Sequence, residues 1–499
     1  MNRSQITTLG SLKKANYVSH TVKEEMRNNP IERLKKGLPV FDNIIGYEDT
    51  VIPQLERAIL AGHNINFLGL RGQAKTRMAR QLVTLLDEYI PVIKGSEIND
   101  DPLKPLSYFG RKAVEEHGDE TPIDWVHRSE RYAEKLATPD VNIADLVGDL
   151  DPIKAANLKL SYSDEGVIHF GIIPRSNRGI FVINELPDLQ PRIQVALFNI
   201  LQEGDIQIRG FKLRFPLDVQ FVFTANPEDY TNRGAIITPL KDRIQSQIFT
   251  HYPETIEIGR VITKQEVNLK EGQRKNIQMP MLIEQLIEQI AVEARSSEFV
   301  DEKSGVSARL SISAYESVVS AVERRMLLNA EQKGSARVGD LLAAIPAIVG
   351  KIEMVYEGEQ EGAVTVAHKL IGSAIRSLAP RYFPDFDKMR DKQHPEIRER
   401  YVKVTQWFEN GNELSLENDE SEKMYGKILN RVSGLDKVVV SAKKIDVSNS
   451  EELLMEYLIH VLAAYSMLDK KILEKSFTFQ DYFSSIMPKG DNTRFKDFQ

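Results

Sequence analysis

The sequence predicts an α/β domain built on a parallel β-sheet, followed by a helical region. Near-continuous apolar runs at residues 65–69, 179–183 and 219–225 are typical of strands buried on both faces. Segments with helical periodicity, such as residues 76–90, separate these runs, and this alternation favours parallel strands joined by crossover helices. After residue 253 the apolar pattern becomes helical, which predicts a second, largely α-helical part.

Composition narrows the class of protein. The 499 residues are 41% hydrophobic and 27% charged, as in soluble globular proteins of several domains. With 65 basic and 72 acidic residues the formal net charge is −7, so general nucleic-acid binding is not expected. The chain has no cysteine, which excludes disulfides and favours a reducing cytoplasmic location. No apolar run approaches the ~20 residues that a membrane span requires.

Breaks in the pattern divide the chain into four regions. The first region is polar and basic, with a helix expected over residues 20–36 and interrupted by Pro30. A small helical lid domain and a mostly helical C-terminal region are expected after the strands. The predicted regions are an N-terminal helical arm (1–40), an α/β nucleotide-binding domain (41–252), a lid (253–356) and the C-terminal region (357–499).

A glycine-containing turn follows the first apolar run. The stretch FLGLRGQAKT, residues 67–76, approximates the phosphate-loop pattern G-x-x-x-x-G-K-[ST]. In such a loop backbone amides and a helix N-terminus face the phosphates, Lys75 reaches the β- and γ-phosphates, and the Thr76 hydroxyl binds Mg²⁺. An ordinary strand-to-helix turn could show the same short pattern. The predicted cradle comprises Gly69, Gly72, Gln73, Ala74, Lys75 and Thr76.

Ala74 occupies the position at which this pattern usually has its last glycine. Glycine tolerates positive φ, whereas alanine rarely adopts it. We expect Ala74 to be tolerated because its φ is negative, as in the first turn of a helix.

An acidic residue follows the second apolar run. Asn184 and Glu185 come directly after residues 179–183, and Glu185 could orient and activate an attacking water. Asn184 stands where an aspartate commonly holds the Mg²⁺ shell, and its amide oxygen lacks the full charge. One charge at 4 Å is worth on the order of 4 kcal/mol at an effective dielectric constant of about 20. Asn184 is therefore expected to weaken Mg²⁺ binding or to slow hydrolysis.

Three further polar residues follow in an informative order. Asn226 ends the third apolar run, where an amide could bond the γ-phosphate or the attacking water. Arg243 suits a phosphate because its planar fork donates two bonds, and from a neighbouring subunit it would act as an arginine finger. Arg309 begins a predicted lid helix and could reach the nucleotide from there. A lone arginine is more often a solvated surface residue, but the order of the motifs favours a site.

This order of motifs is similar to that of the AAA+ ATPases, and among them to the MoxR-like and magnesium-chelatase I-subunit clade. The resemblance extends over residues 38 to about 350, and the segment around residues 200–230 resembles the hairpin that the clade inserts before its polar strand end. It implies ATP and Mg²⁺ as cofactors, with Ile45 and Gly46 beside the adenine. It further implies that Thr76 and Asn184 hold the metal, and that the catalytic residues are Glu185, Asn226, Arg243 and Arg309.

The same resemblance implies a ring, usually of six subunits, with ATP bound between subunits and a partner that often carries a von Willebrand A domain. The favoured function is a motor that remodels a partner protein or inserts a metal into it. A magnesium-chelatase subunit of pigment synthesis and a nucleotide-gated scaffold with weak hydrolysis remain alternatives. A transcription activator is disfavoured because residues 77–178 contain no GAFTGA loop, and a ring helicase is disfavoured by the net charge.

Overall fold

The structure is a computed structural model that describes residues 3–159, 161, 164–208, 214–227, 235–383, 386, 395–441, 446–472 and 476–482. The chain divides into two compact units, Met1–Tyr252 and Pro253–Gln499. Among the described residues, none of the helices combines the length and the apolar character needed to cross a membrane.

The first unit is organised around a β-sheet. Its strands are β1 (Ile65–Leu68), β2 (Tyr89–Ile93), β3 (Ile123–His127), β4 (Tyr132–Leu136), β5 (Gly148–Leu150), β6 (Ile168–Phe170), β7 (Gly179–Asn184), β8 (Asp205–Gln207), β9 (Arg214–Pro216), β10 (Val219–Ala225) and β11 (Ser246–Phe249). Five of them form a parallel sheet in the order β11-β1-β10-β7-β4. The pairs β2–β3, β5–β6 and β8–β9 are antiparallel.

The first unit also contains helices. They are α1 (Leu9–Lys14), α2 (Val22–Lys35), α3 (Val51–Leu60), α4 (Lys75–Gln81), α5 (Tyr108–His117), α6 (Ile143–Leu146), α7 (Pro152–Leu158), α8 (Ile172–Arg175), α9 (Pro191–Glu203) and α10 (Thr238–Arg243). Alternate residues of β7 enter two different hydrophobic clusters. Phe181 and Ile183 pack in one cluster, whereas Ile180 and Val182 pack in the other. Because neighbouring side chains of a strand point to opposite faces, both faces of the sheet are buried, as the apolar runs predict.

The N-terminal segment packs within the first unit. Val22 and Met26 of α2 belong to the same hydrophobic cluster as strand β1. Pro30 does not interrupt α2, which continues to Lys35. The interruption expected at Pro30 is therefore wrong, because packing of the apolar face outweighs the local cost of a proline inside a helix.

A short hairpin, β8–β9, precedes β10 at the position that the resemblance implied. Its two strands pair antiparallel, with Asp205 opposite Pro216. Residues 209–213, between the strands, lie outside the described residues.

The second unit is mainly helical. Its helices are α11 (Ile256–Glu266), α12 (Glu271–Asn276), α13 (Met281–Arg295), α14 (Arg309–Leu328), α15 (Ile345–Val349), α16 (Tyr356–Glu361), α17 (Ala363–Tyr382), α18 (Pro395–Glu409), α19 (Glu422–Leu429), α20 (Leu435–Ser441) and α21 (Glu451–Ala464). One hydrophobic cluster extends from Val267 to Phe479, so residues of the predicted lid and of the predicted C-terminal region share a core.

The second unit also contains strands. They are β12 (Ile277–Gln278), β13 (Gly334–Ser335), β14 (Leu414–Glu417), β15 (Leu468–Ile472) and β16 (Ser476–Asp481). The last three form an antiparallel sheet in the order β14-β16-β15. The sequence did not predict this small sheet, which supplies Phe477 and Phe479 to the core.

Candidate nucleotide-binding site

The carboxyl ends of β1, β10 and β7 lie side by side, and the residues of the predicted site follow them. Leu68 pairs with Ala225, and Phe223 pairs with Ile183. Directly beyond β1, the Gly69 amide donates to the Ala225 carbonyl at 3.2 Å. In open α/β sheets ligands bind outside the carboxyl ends of the strands. The fold therefore places the phosphate loop, the Asn184–Glu185 pair and Asn226 at the edge where a ligand is expected.

The two glycines of the loop are required by geometry. A Cβ on Gly69 would lie 2.0 Å from Thr250 Oγ1 and 2.3 Å from Gln73 Oε1, so no side chain fits there. Gly72 has a φ of 75°, a conformation that other residues rarely adopt.

Ala74 corrects the expectation of a negative φ. It is the residue before α4 and has φ 57° and ψ 15°, which is the left-handed region. For an L-residue this conformation costs roughly 1–2 kcal/mol. The loop therefore keeps the backbone conformation of its usual glycine and tolerates the strain of alanine.

Lys75 points into the loop. Its side chain is 8% exposed, and its Nζ donates to the carbonyl of Gly69 and, at 3.1 Å, to that of Leu70. Thr76 follows in the first turn of α4 and is partly buried. The ammonium and the N-terminus of α4 both belong to the cradle that the motif predicts.

Residues beyond the motif fix the loop, and the sequence analysis missed them. The buried Tyr47 hydroxyl lies between two carbonyls, of His251 at 2.7 Å and Gln73 at 3.0 Å, which share its single proton. Thr250, which follows β11, donates to Gln73 Oε1 at 2.7 Å. Tyr47 directly follows Gly46, whose φ is 81°, and Ile45, which is partly buried. The segment predicted to border the adenine is therefore bonded to the loop, and the signal for Tyr47 was its place beside Gly46.

The acidic end of β7 is held by the neighbouring strand. Glu185 has φ 56° and ψ 53°, and its amide donates to Thr224 Oγ1 at 3.1 Å. The Thr224 hydroxyl in turn donates to Asn184 Oδ1 at 3.3 Å. Thr224 was not among the predicted site residues.

Asn226 follows β10 and is 2% exposed. Its Oδ1 is buried and has no hydrogen-bond partner among the described residues. A buried polar atom without a partner is costly, and such atoms concentrate where a ligand or water completes them. Residues 228–234, just beyond, lie outside the described part of the chain.

The two predicted arginines each lie at the end of a helix. Arg243 ends α10, is 38% exposed, pairs with Asp242 and lies over the Phe198 ring of α9 at 5.5 Å. Arg309 begins α14 in the second unit, where its amide donates to Ser307 Oγ. The structure thus gathers the loop, Asn184, Glu185 and Asn226 at one edge of the sheet, and among the described residues of the first unit Arg243 has no recorded contact with them.

The oxygen atoms that Thr76 and Asn184 offer fit a Mg²⁺ ion that is held mainly by the phosphates of a nucleotide. The described residues contain no cluster of three or more histidine or acidic side chains able to enclose a metal ion. Mg²⁺ in nucleotide sites takes most of its oxygens from phosphates and water, with one or two from the protein. The Thr76 hydroxyl and the Asn184 amide oxygen are of the type that such a site uses.

Comparison with known proteins finds one family model and two magnesium-chelatase subunits that are similar to parts of this chain. A family model described as a sigma-54 interaction domain matches residues 159–247. The magnesium-chelatase 38 kDa subunit of Cereibacter sphaeroides is 26% identical over 238 residues, 47% of this chain and 65% of that protein. The 38 kDa subunit of Rhodobacter capsulatus is 25% identical over 228 residues, 44% of this chain and 59% of that protein. The chain therefore spans less than two thirds of the length of either relative.

A solved complex between the BchI and BchD subunits of magnesium chelatase contains a chain that is 19% identical, with a TM-score of 0.32. The match covers 64% of this chain and 97% of that one, and at this TM-score no conclusion follows from it. The family match and the two relatives confirm that this chain is similar to AAA+ ATPases, among them the magnesium-chelatase 38 kDa subunit. The resemblance to MoxR-like proteins stays a prediction.

Proposed function

We propose that this chain binds ATP at residues 69–76 and hydrolyses it as a motor that remodels a partner protein or inserts a metal into it. The observation that supports this most is the convergence of three polar strand ends. The phosphate loop, Glu185 and Asn226 follow the adjacent strands β1, β7 and β10 of one parallel sheet. That arrangement can hold a triphosphate beside a carboxylate and an amide.

Each group has a role in this proposal. The loop amides and Lys75 bind the phosphates, and the buried Asn226 amide bonds the γ-phosphate or the attacking water. Glu185 orients that water and accepts its proton. Thr76 and Asn184 would hold Mg²⁺, which when bound neutralises charge on the phosphates.

Arg243 supports assembly into a ring, because an exposed arginine at the end of α10 is available to a neighbouring subunit. We propose a ring, usually of six subunits, in which Arg243 of one subunit and Arg309 of a lid complete each site. A partner with a von Willebrand A domain would receive the work of the motor.

Steady-state phosphate release tests the proposal. The wild-type chain should hydrolyse ATP in the presence of Mg²⁺, and Lys75→Ala should abolish nucleotide binding. Glu185→Gln should bind ATP but release phosphate at least ~10-fold more slowly, because general-base groups typically contribute 10²–10⁴-fold. Failure of the wild-type chain to bind a fluorescent ATP analogue at micromolar concentration would contradict the whole proposal.

A nucleotide-gated scaffold with weak hydrolysis is the second candidate. The observation that favours it is Asn184, whose uncharged oxygen already accepts a hydrogen bond from Thr224. Equal and slow phosphate release by the wild-type chain and Glu185→Gln, with intact ATP binding in both, would select the scaffold over the motor.

The two curated relatives also favour a magnesium-chelatase subunit of porphyrin metabolism. Capture of partners by the Glu185→Gln protein in ATP distinguishes the possibilities, since a stalled motor should retain its client. Recovery of a porphyrin-binding protein would identify a chelatase, whereas recovery of a different client would identify a remodelling motor.

A further inference from the structure

Thr224 is a buried hydroxyl next to the acidic end of β7. It lies in β10, one residue after Phe223, which pairs with Ile183 of β7, and its side chain is 1% exposed. Its single hydroxyl serves both members of the Asn184–Glu185 pair, since it donates to the side chain of one and accepts from the amide of the other. Both partners belong to another strand end, so the hydroxyl links two strands at the candidate site.

The backbone of Glu185 needs such a restraint. Its left-handed conformation, with φ 56°, is unfavourable for a residue other than glycine. Strained residues persist where their surroundings fix them, and they cluster at functional sites. The buried hydrogen bond from the Glu185 amide to Thr224 Oγ1 offsets part of this strain.

We propose that Thr224 is a positioning residue of the nucleotide site, which fixes the backbone of Glu185 and the carboxamide orientation of Asn184. The inference rests on the proposed function, because it takes Glu185 as the residue that orients the attacking water and accepts its proton. Thr224 does not touch the phosphates in this assignment. It acts through Glu185, so its loss should reduce turnover while nucleotide binding by the loop stays intact.

The geometry separates this role from ordinary buried threonines. Thr121, for example, is 0% exposed and donates to the Gly118 carbonyl at 2.6 Å, within its own turn. Thr224 instead bonds residues 40 and 39 positions away along the chain. A hydroxyl that spans two strand ends controls their relative placement, and displacements of about 1 Å in an active site can reduce rates by ~100-fold.

The test compares Thr224→Val, which keeps the shape and removes the hydroxyl, with Thr224→Ser, which keeps the hydroxyl. Thr224→Val should lower kcat about 10-fold or more and leave the KM for ATP within about twofold. Thr224→Ser should recover kcat to within about threefold of wild type. The matched control Thr121→Val removes an equally buried hydroxyl and should leave kcat within about twofold of wild type.

Hydrogen exchange of a peptide covering residues 182–189 gives a readout that does not depend on turnover. Thr224→Val should accelerate exchange at the Glu185 amide at least ~10-fold, whereas Thr224→Ser and Thr121→Val should not. If Thr224→Val does not fold, Thr224→Cys, whose thiol is a weak hydrogen-bonding group, replaces it in both assays.

The inference would be overturned if Thr224→Val kept both the kcat and the hydrogen-exchange rate of the wild type. An equal fall of kcat in Thr224→Val and Thr224→Ser would also overturn it. A rise in KM that accounts for the whole loss of kcat/KM would also count against it. If the wild-type chain shows no turnover above Glu185→Gln, hydrolysis is rejected, and the exchange measurement alone then decides whether Thr224 holds the Glu185 backbone.

Discussion

The Arg131 guanidinium donates to both carboxylate oxygens of Glu25 at 2.8 Å, with the two side chains 0% and 2% exposed. Arg131 precedes strand β4, and Glu25 lies in α2. This buried two-bond pair therefore joins the N-terminal segment to the sheet.

Glu25→Gln should destabilise the first unit, because it leaves the Arg131 charge buried without its counter-ion. Breaking a buried pair by removing one partner typically costs about 3–5 kcal/mol. Urea denaturation followed by fluorescence would measure the loss. The exposed pair between Lys13 and Asp119 provides the matched control. Lys13→Met should cost under about 1 kcal/mol, and a similar loss in both variants would contradict the assigned role of burial.

Ala74→Gly should stabilise the chain, since it relieves the left-handed strain at the residue before α4. The gain should be about 0.5–1 kcal/mol, because the greater freedom of glycine in the unfolded chain offsets part of the relief. Affinity for ATP should stay within about twofold, because the loop already has the left-handed conformation before ATP binds.

Ala330, whose φ is 54°, is a matched control in the second unit. Ala330→Gly should give a similar gain in the free energy of unfolding with no change in ATP affinity. Paired thermal unfolding and nucleotide titrations check both. A destabilised Ala74→Gly protein would contradict the left-handed assignment.

These residues also show how far sequence reasoning extends. The near-continuous apolar runs at residues 65–69, 179–183 and 219–225 predicted the buried strands, because a strand buried on both faces has apolar residues at successive positions. The sign of φ at Ala74 was not predictable, because alanine is compatible with the helix that follows. The loop conformation, and not the residue type, determined the outcome.

Long-range contacts were beyond the sequence for a different reason. Tyr47 and Thr250 support the loop from other parts of the chain, and apart from the place of Tyr47 beside Gly46 nothing in their local pattern marks them. Pro30 predicted a helix break that packing overrides. The sheet formed by β14, β15 and β16 consists of short strands between helices, whose pairing is set by the core that they complete.

Asp218→Asn should stabilise the first unit at neutral pH. Burial raises the pKa of the Asp218 carboxyl from 3.8 to about 6, although the Val22 amide donates to it at 2.8 Å. The folded chain therefore binds this proton more tightly than the unfolded chain does. The contribution of Asp218 to the free energy of unfolding is therefore fully present below about pH 4, and it is lost as the pH rises through about 6.

The Asp218→Asn gain should approach about 3 kcal/mol well above pH 6 and should vanish near pH 4. Urea denaturation of the wild-type and variant chains across pH 4–8 measures the difference. Asp124→Asn, which makes the same substitution at an exposed position of β3, supplies the control. If the stability gain of Asp218→Asn over the wild type instead grew as the pH fell, the predicted direction of the pH dependence would be wrong.

Asn184→Asp should strengthen Mg²⁺ binding, since it restores a charge where the amide now accepts from Thr224. We expect the Mg²⁺ concentration for half-maximal ATP hydrolysis to fall about 10-fold or more, which corresponds to about 1.4 kcal/mol. Magnesium titrations at saturating ATP measure this. If Asn184→Asp needed the same Mg²⁺ concentration as the wild type, Asn184 would not be a ligand of the metal.

Arg243→Ala should keep ATP binding and lose turnover about 10³-fold, the lower range for an arginine finger. The reason is its location: Arg243 ends α10 against Phe198, exposed and outside the recorded contacts of the phosphate loop in its own subunit. Mixing the inactive Arg243→Ala and Glu185→Gln chains provides the sharper measurement. In a mixed ring a site with an intact Glu185 meets the intact Arg243 of its neighbour, so phosphate release should recover. Without recovery, or with full turnover in Arg243→Ala alone, Arg243 would not act across the subunit boundary.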